Sequence, residues 1–192
     1  MFIKDWKREV LTIPNGLSLI RLLLIPVYTV IYLEAQQYAD YFLAAIILAI
    51  SCITDAIDGF VARQFNMVSQ VGKILDPLAD KLTQLTLTVC LSIRHPMLRG
   101  VLILLVAKEI LQTVTVWIMF RQGKVLPGPL IIGKICTAVL FIGFIFLILM
   151  PQISAKAVLI ITVTDSLFLV TAFVGYFFAF FGGKSPLKEL PE

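Results

Sequence analysis

Charge is what this chain has least of. Only 15% of its 192 residues are Asp, Glu, Lys or Arg, against about a quarter in an ordinary soluble domain, and its mean hydropathy is +0.98. That balance excludes a large-cored soluble globule and points to an integral membrane protein. Cysteine is scarce too: Cys52, Cys90 and Cys136 lie scattered in apolar runs with no CxxC spacing. No disulfide or zinc framework can be read from them, so packing is their expected role. Histidine occurs once, at His95 in the break Arg94-His95-Pro96, and reads as a loop residue remote from the acids rather than a catalytic group. No internal repeat is visible. The opening MFIKDWKREV mixes charges and lacks a small-residue cleavage site, so no cleavable signal peptide is expected. The net charge of +4 resides at predicted helix ends, where anionic lipid headgroups are the expected partners and nucleic acid is not.

What the chain has in abundance is long apolar runs. A span takes about 20 apolar residues, which leaves room for about six spans and no second soluble domain. Residues 1–14 alternate Lys4, Asp5, Lys7, Arg8 and Glu9 with apolar residues around Trp6, the pattern of an interfacial amphipathic helix. Pro14 and Asn15 are expected to end it and begin the first span, with Asn15 as a candidate N-cap. Spans are expected at roughly 15–35, 38–63, 70–93, 97–121, 127–150 and 155–181, separated at Asn66, at Arg94 to Pro96, at Gly123 to Pro129 and at Pro151. The fold class is therefore all-α: an integral membrane bundle of six transmembrane helices over 15–182, with a short polar tail at 183–192. Lys4, Lys7, Arg8, Arg63, Lys73, Arg121, Lys124, Lys184 and Lys188 fall on one side, and only Arg94, Arg99 and Lys156 on the other. The positive-inside rule then predicts a cytoplasmic-membrane protein with both termini cytoplasmic.

Against this background the stretch TDAIDGFVARQFNMVSQVGKILDPLADK, Thr54 to Lys81, carries four aspartates, Asp55, Asp58, Asp76 and Asp80. Each carboxylate within a membrane costs about 2.5–3.5 kcal/mol even on lenient scales. Asp55, Asp58 and Ala62 share one helix face, with Gly59 on the adjoining row, and Asp76 and Asp80 share a face of the next helix. A turn near Asn66 could bring the two faces together at the cytoplasmic edge. Four converging carboxylates repel one another unless cations are present, and two divalent cations would cancel their charge. Hard oxygen ligands without His or Cys favour Mg²⁺ or Mn²⁺ over zinc. Such a pair of ions suits in-line displacement at phosphorus. Gly59, Ala62 and Gly72 leave a trough free of bulk, and Arg63 can reach diphosphate oxygens with its planar fork. Ion conduction or close helix packing would account for isolated acids and glycines, but eight positions fixed together argue for chemistry.

Asp55-x-x-Asp58-Gly59-x-x-Ala62-Arg63, followed after eight residues by Gly72-x-x-x-Asp76-x-x-x-Asp80, resembles the signature of the CDP-alcohol phosphatidyltransferases. The resemblance implies a six-span, all-helical homodimer that takes CDP-diacylglycerol and an alcohol and yields a phosphodiester lipid and CMP. It also implies that Asp55, Asp58, Asp76 and Asp80 hold the metals, with Asp80 as general base. Asp58, Gly59, Ala62, Arg63 and Gly72 are implied at the CDP moiety, and Asn15 is placed to reach the nucleotide.

The acceptor is read from the remaining charges. Ile13–Tyr28 is similar to the first span of phosphatidylglycerophosphate synthases and eukaryotic-type cardiolipin synthases, with Arg21 about two turns inside it. Ala107-Lys108-Glu109 stands where the former group shows Ala-Arg-Glu, and mid-span placement points to a functional or interhelical ion pair. Gly133-Lys134-Ile135-Cys136-Thr137 resembles their Gly-Lys-x-Lys-Thr, with Cys136 in place of the second lysine. Lys108, Arg121, Lys134 and Arg21 are thus the candidate acceptor residues, and glycerol 3-phosphate is the expected acceptor. Phosphatidylglycerol, in a cardiolipin-synthase-like reaction, is the alternative. A divalent-cation transporter is a remote alternative of another class. Asp165 is a lone carboxylate in the sixth span, read as paired or facing a dimer seam.

Overall fold

A computed structural model describes residues 12–64, 71–121, 124–125, 131–181 and 188–189, with the side chains of residues 55–56, 58–63 and 73 among those left undescribed. Residues 1–11 of the expected amphipathic helix and the turn around Asn66 lie outside the described residues. The described chain is helical: α1 Ile13–Glu34, α2 Tyr38–Gln64, α3 Gly72–Arg94, a 3-10 turn Pro96–Leu98, α4 Arg99–Arg121, α5 Ile131–Leu149 and α6 Ala155–Phe181. A two-residue ladder pairs β1, Lys124–Val125, antiparallel with β2, Lys188–Glu189. Lys188–Glu189 falls in the expected tail and Lys124–Val125 in the expected break, and two residues are too few to leave a periodicity.

Helices of 19 to 27 residues are about 28–40 Å long, enough to cross a hydrocarbon core of about 30 Å. Four helical stretches are long and apolar enough to do so: Asn15–Glu34, Pro96–Ile118, Ile131–Leu149 and Ala155–Phe178. The chain is a multi-pass membrane protein. Of the two remaining helices, α2 contributes a shorter apolar stretch, Tyr38–Thr54. These are the helices that carry the acids, and the polar residues of Asp55–Arg63 and Lys73–Lys81 interrupt their apolar runs.

At the start of α1 the expectation needs correcting. Pro14 lies inside the first turn rather than before the helix, and the N-cap is Thr12, whose hydroxyl accepts the Asn15 N–H at 3.4 Å. A first-turn proline is tolerated because its missing N–H would have had no helical partner. Asn15 is therefore not the cap.

The chain divides into two compact units, residues 1–90 with 148–151, and residues 91–147 with 152–192. In the first, α1 packs on α2 through three buried tyrosines: Tyr28 stacks on Tyr32 with centroids 5.6 Å apart, and Tyr32 meets Tyr41 edge-on at 5.9 Å. Edge and offset ring contacts of this kind add to the burial itself. Tyr41 Oη donates to the Ala35 carbonyl at 3.3 Å. The start of α2 is secured by Asp40, whose carboxylate accepts the Gln36 and Gln37 N–H groups, both at 2.9 Å. This reach back from the first turn satisfies donors that the helix itself leaves open.

In the second unit α4 packs on α6 over Leu98, Val101, Leu105, Leu169 and Ala172, all buried. Two glycines of α5 mark where α6 side chains come close. A Cβ at Gly133 would lie 3.2 Å from the Tyr176 ring, and one at Gly143 would lie 2.9 Å from Ile161 Cγ2 and 3.2 Å from the Asp165 carboxylate. Asp165 is only 1% exposed. It is enclosed among the chain's own side chains, and among the described residues its Oδ2 has no hydrogen-bond partner. His95 sits between α3 and the 3-10 turn, as expected of a loop residue.

Candidate active site

The site is built in the first unit from one face of α3 and one face of α1. Asp76 and Asp80, four residues apart in the first turns of α3, point the same way because a helix repeats at 3.6 residues. On α1 a polar stripe at every third position, Asn15, Ser18 and Arg21, is buried to 2%, 0% and 2% exposure. The stripe meets the acids: Ser18 Oγ donates to Asp76 Oδ1, and Arg21 Nη1 donates to Asp80 Oδ1 at 2.5 Å. A buried guanidinium without an anion would cost several kcal/mol, and Asp80 supplies that anion. The Asp80 side chain is nonetheless 55% exposed, so it is tethered from below and open above.

Sequence reasoning singled out Arg21 but missed Ser18 and the acid that Arg21 holds. The available signal was the three-residue spacing of Asn15, Ser18 and Arg21 in an otherwise apolar helix. One turn further into the unit from Arg21 and Asp80 lies a small apolar groove lined by Leu24, Ile25, Ile47 and Leu87, with Tyr28 and Thr83 on its wall. Tyr28 Oη has no hydrogen-bond partner among the described residues, while the Thr83 hydroxyl donates to the Ala79 carbonyl at 2.8 Å.

The other expected residues are placed as follows. Asp55, Asp58, Gly59, Ala62 and Arg63 occupy the C-terminal turns of α2, in the same unit as Asp76 and Asp80; their side chains lie outside the described residues. Gly72 opens α3 and is buried. Lys108, Arg121 and Lys134 belong to the second unit. Lys108 is 5% exposed and its Nζ bonds Glu109 Oε1 at 2.5 Å, an ion pair between neighbours on one helix. Neighbouring positions do not face each other on a helix, and only the length of the two side chains lets them meet. Arg121 is exposed and lies over the Trp117 ring, 4.4 Å from its centroid, a cation–π contact. Lys134 is exposed on α5.

Among the described residues no three His, Cys, Asp or Glu side chains cluster as a metal site. Asp76 and Asp80 do offer the hard oxygen donors that Mg²⁺ or Mn²⁺ prefers.

Residues 11–179, which include all four aspartates, match the CDP-alcohol phosphatidyltransferase family. The chain belongs to that family. Relatives of two kinds resemble it. It is 36% identical to a CMP-forming cardiolipin synthase of Streptomyces coelicolor over 144 residues, 73% of this chain and 66% of that protein. It is 30% identical to a putative cardiolipin synthase of Mycobacterium bovis over 138 residues, 72% of this chain and 65% of that protein. It is also 33% identical to a CDP-diacylglycerol–glycerol-3-phosphate 3-phosphatidyltransferase of Rickettsia typhi over 99 residues, 52% of this chain and 55% of that protein. The matched stretch thus spans about two thirds or less of these relatives' own lengths.

Proposed function

We propose that this protein transfers the phosphatidyl group of CDP-diacylglycerol to an alcohol and releases CMP. The observation that carries the reading is the pair Asp76 and Asp80, presented on one face of α3 and tethered from α1, within the residues matched by the family. Asp55, Asp58, Asp76 and Asp80 form the metal-holding set of this proposal. The donor chemistry fits two Mg²⁺ or Mn²⁺ ions: carboxylate oxygens only, one side chain half exposed, and no His or Cys in the motif. Bound there, the ions would offset the charge of the lipid diphosphate.

Asp80 is the general base of the proposal. Its carboxylate takes the proton from the acceptor hydroxyl as that oxygen attacks phosphorus. The new bond forms between the acceptor oxygen and the phosphatidyl phosphorus, the bond from that phosphorus to the CMP oxygen breaks, and the pair of electrons leaves with CMP. Arg63 pairs with the diphosphate, while Gly59, Ala62 and Gly72 leave room for the cytidine and Asn15 approaches it. The acyl chains lie along apolar helix faces. Basic residues on the side of the acids support a reaction at the cytoplasmic face, and a homodimer is the assembly this reading carries.

Two acceptors suit such a site, and both offer a glycerol hydroxyl. Glycerol 3-phosphate is supported by the Rickettsia likeness and by exposed Arg121 and Lys134. Phosphatidylglycerol is supported by the longer and higher-identity match to the Streptomyces protein. We favour phosphatidylglycerol on that match. Thin-layer chromatography of labelled CDP-diacylglycerol incubated with purified protein and each acceptor decides. A new lipid with phosphatidylglycerol is expected. A product with glycerol 3-phosphate alone selects the other acceptor, and the absence of CMP release with any alcohol removes the enzymatic reading and revives a cation transporter.

A further inference from the structure

The exposed side of α4 ends in a cation held on an indole. Ile103, Ile110 and Val114 fall within about 20° of Arg121 around the helix axis, and Trp117 within about 40°. All of them are exposed, Trp117 at 55%. Val101, Leu105, Lys108 and Thr115 are buried on the other side, and Lys108 lies about 140° from Arg121. The two cations therefore do not turn toward one ligand. We propose that this edge of α4 binds an anionic phospholipid, with the headgroup phosphate on Arg121 and an acyl chain along Trp117, Val114 and Ile110. The inference does not depend on the phosphatidyl-transfer reading above.

The physical grounds are depth, charge and shape. The apolar stretch that contains this helix ends at Ile118. Trp117 therefore stands at its edge and Arg121 in the headgroup layer beyond it, the depth at which tryptophan and basic residues settle. The rise from Arg121 to Ile110 is about 16 Å, close to half of a hydrocarbon core of about 30 Å, so one apolar stripe lines the length of a single acyl chain. The Arg121 guanidinium lies 4.4 Å from the centroid of the Trp117 ring. That contact uses a face of the planar group and not the N–H donors at its edge. Among the described residues no carboxylate pairs with Arg121. A phosphate can take two of those donors in parallel and supplies the missing negative charge.

A plain interfacial anchor makes a different prediction. A snorkelling arginine meets whichever headgroup is at hand and shows no preference among lipids. The proposed site has one, because the phosphate of phosphatidylcholine carries its own ammonium and that of phosphatidic acid does not. If Arg121 instead bound a soluble acceptor, a small phosphomonoester without acyl chains would compete for it.

The test uses the full chain in phosphatidylcholine nanodiscs and reads Trp117 fluorescence. The chain has two tryptophans, Trp6 and Trp117, so Trp6→Phe leaves Trp117 as the reporter. Brominated phosphatidic acid or brominated phosphatidylcholine is added in steps, since bromine quenches an indole that it touches. Phosphatidic acid is anionic and has no headgroup alcohol to act as an acceptor. It should quench Trp117 at about a fivefold lower mole fraction than brominated phosphatidylcholine, the preference that one basic residue gains at an anionic headgroup. Arg121→Gln, a change at an exposed position, should bring the two lipids level. Millimolar glycerol 3-phosphate should leave the curves of the parent protein unchanged. Equal quenching by both lipids in the parent overturns the site in favour of a plain anchor. A preference that persists in Arg121→Gln overturns the role of Arg121, and its loss on adding glycerol 3-phosphate moves that residue to a soluble acceptor. Absence of quenching by either lipid means that a second copy covers this face, and also overturns the proposal. CMP release enters none of these readings.

Discussion

Gly133 offers a sharp test of how the second unit is packed. It opens the segment Gly133-Lys134-Ile135-Cys136-Thr137, whose likeness to an acceptor-associated motif invites a functional reading of the glycine. The structure supplies a steric one. A Cβ at this position would lie 3.2 Å from Cε2 and Cζ of Tyr176 and closer still to its hydroxyl, and Tyr176 is 5% exposed, so the ring has little room to yield. Overpacking of this kind costs about 1–3 kcal/mol, and replacing a helical glycine by alanine returns about 1 kcal/mol. The hydroxyl contact pushes the steric cost toward its upper end. Gly133→Ala should therefore lose about 1–2 kcal/mol net. Tyr176→Phe removes the closest atom, so adding Gly133→Ala to it should cost about 1 kcal/mol less, a coupling of the size expected for touching residues. Gly100 is the control: nothing lies within 4 Å of its would-be Cβ, and Gly100→Ala should be neutral or stabilising by up to about 1 kcal/mol. Thermal unfolding in detergent, read by the folded fraction on size exclusion after heating, measures the wild type and the four variants. A Gly133→Ala protein as stable as wild type, or a cycle with no coupling, would refute the packing argument and return Gly133 to a functional account.

Other outcomes follow from particular side chains. Burial and the neighbouring Arg94 charge hold the His95 imidazole below its ordinary pKa, so the folded state binds that proton less readily than the unfolded one. The His95 contribution should be fully present above about pH 6.5 and should fade as the pH falls below it; His95→Gln should flatten that part of the stability profile, and an unchanged slope would contradict the assignment. Asp165 is buried with an unpartnered Oδ2, and leaving such an atom unsatisfied costs about 1–3 kcal/mol. Asp165→Val should then raise thermal stability, and a marked loss would mean that the carboxyl carries a bond of its own. Exhaustive chelation should stop CMP release and added Mg²⁺ or Mn²⁺ should restore it, whereas full activity after chelation would remove the cations from the proposal.

The helices and the acid motif were legible because both leave one-dimensional marks. Apolar runs of about 20 residues can be counted, and Asp55 to Asp80 carry fixed spacings. What escaped was pairing across distance. Ser18 has no charge to draw the eye, and its partner Asp76 lies 58 residues away. Arg21 was visible as a polar residue in a span, but nothing local says that it holds Asp80. The start of α1 was misjudged because Pro14 breaks an interior turn yet suits a first one, which moved the cap from Asn15 to Thr12. Lys108 was expected in a functional or interhelical ion pair, and its bond to the adjacent Glu109 leaves no mark in the spacing. The burial of Asp165 depends on Gly143, on a different helix, leaving it space, and helix periodicity carries no record of that.

The central claim is that the aspartates of α2 and α3 perform phosphatidyl transfer. Its most direct test is CMP release from CDP-diacylglycerol by the purified protein and by Asp76→Asn and Asp80→Asn, with substrate and Mn²⁺ binding measured alongside. Wild-type protein should release CMP only when an acceptor alcohol is present. Asp80→Asn should bind CDP-diacylglycerol and Mn²⁺ but turn over at about a hundredth of the rate or less, as expected for loss of a general base, and Asp76→Asn should lose Mn²⁺ binding together with activity. Near-wild-type turnover in Asp80→Asn would contradict the account.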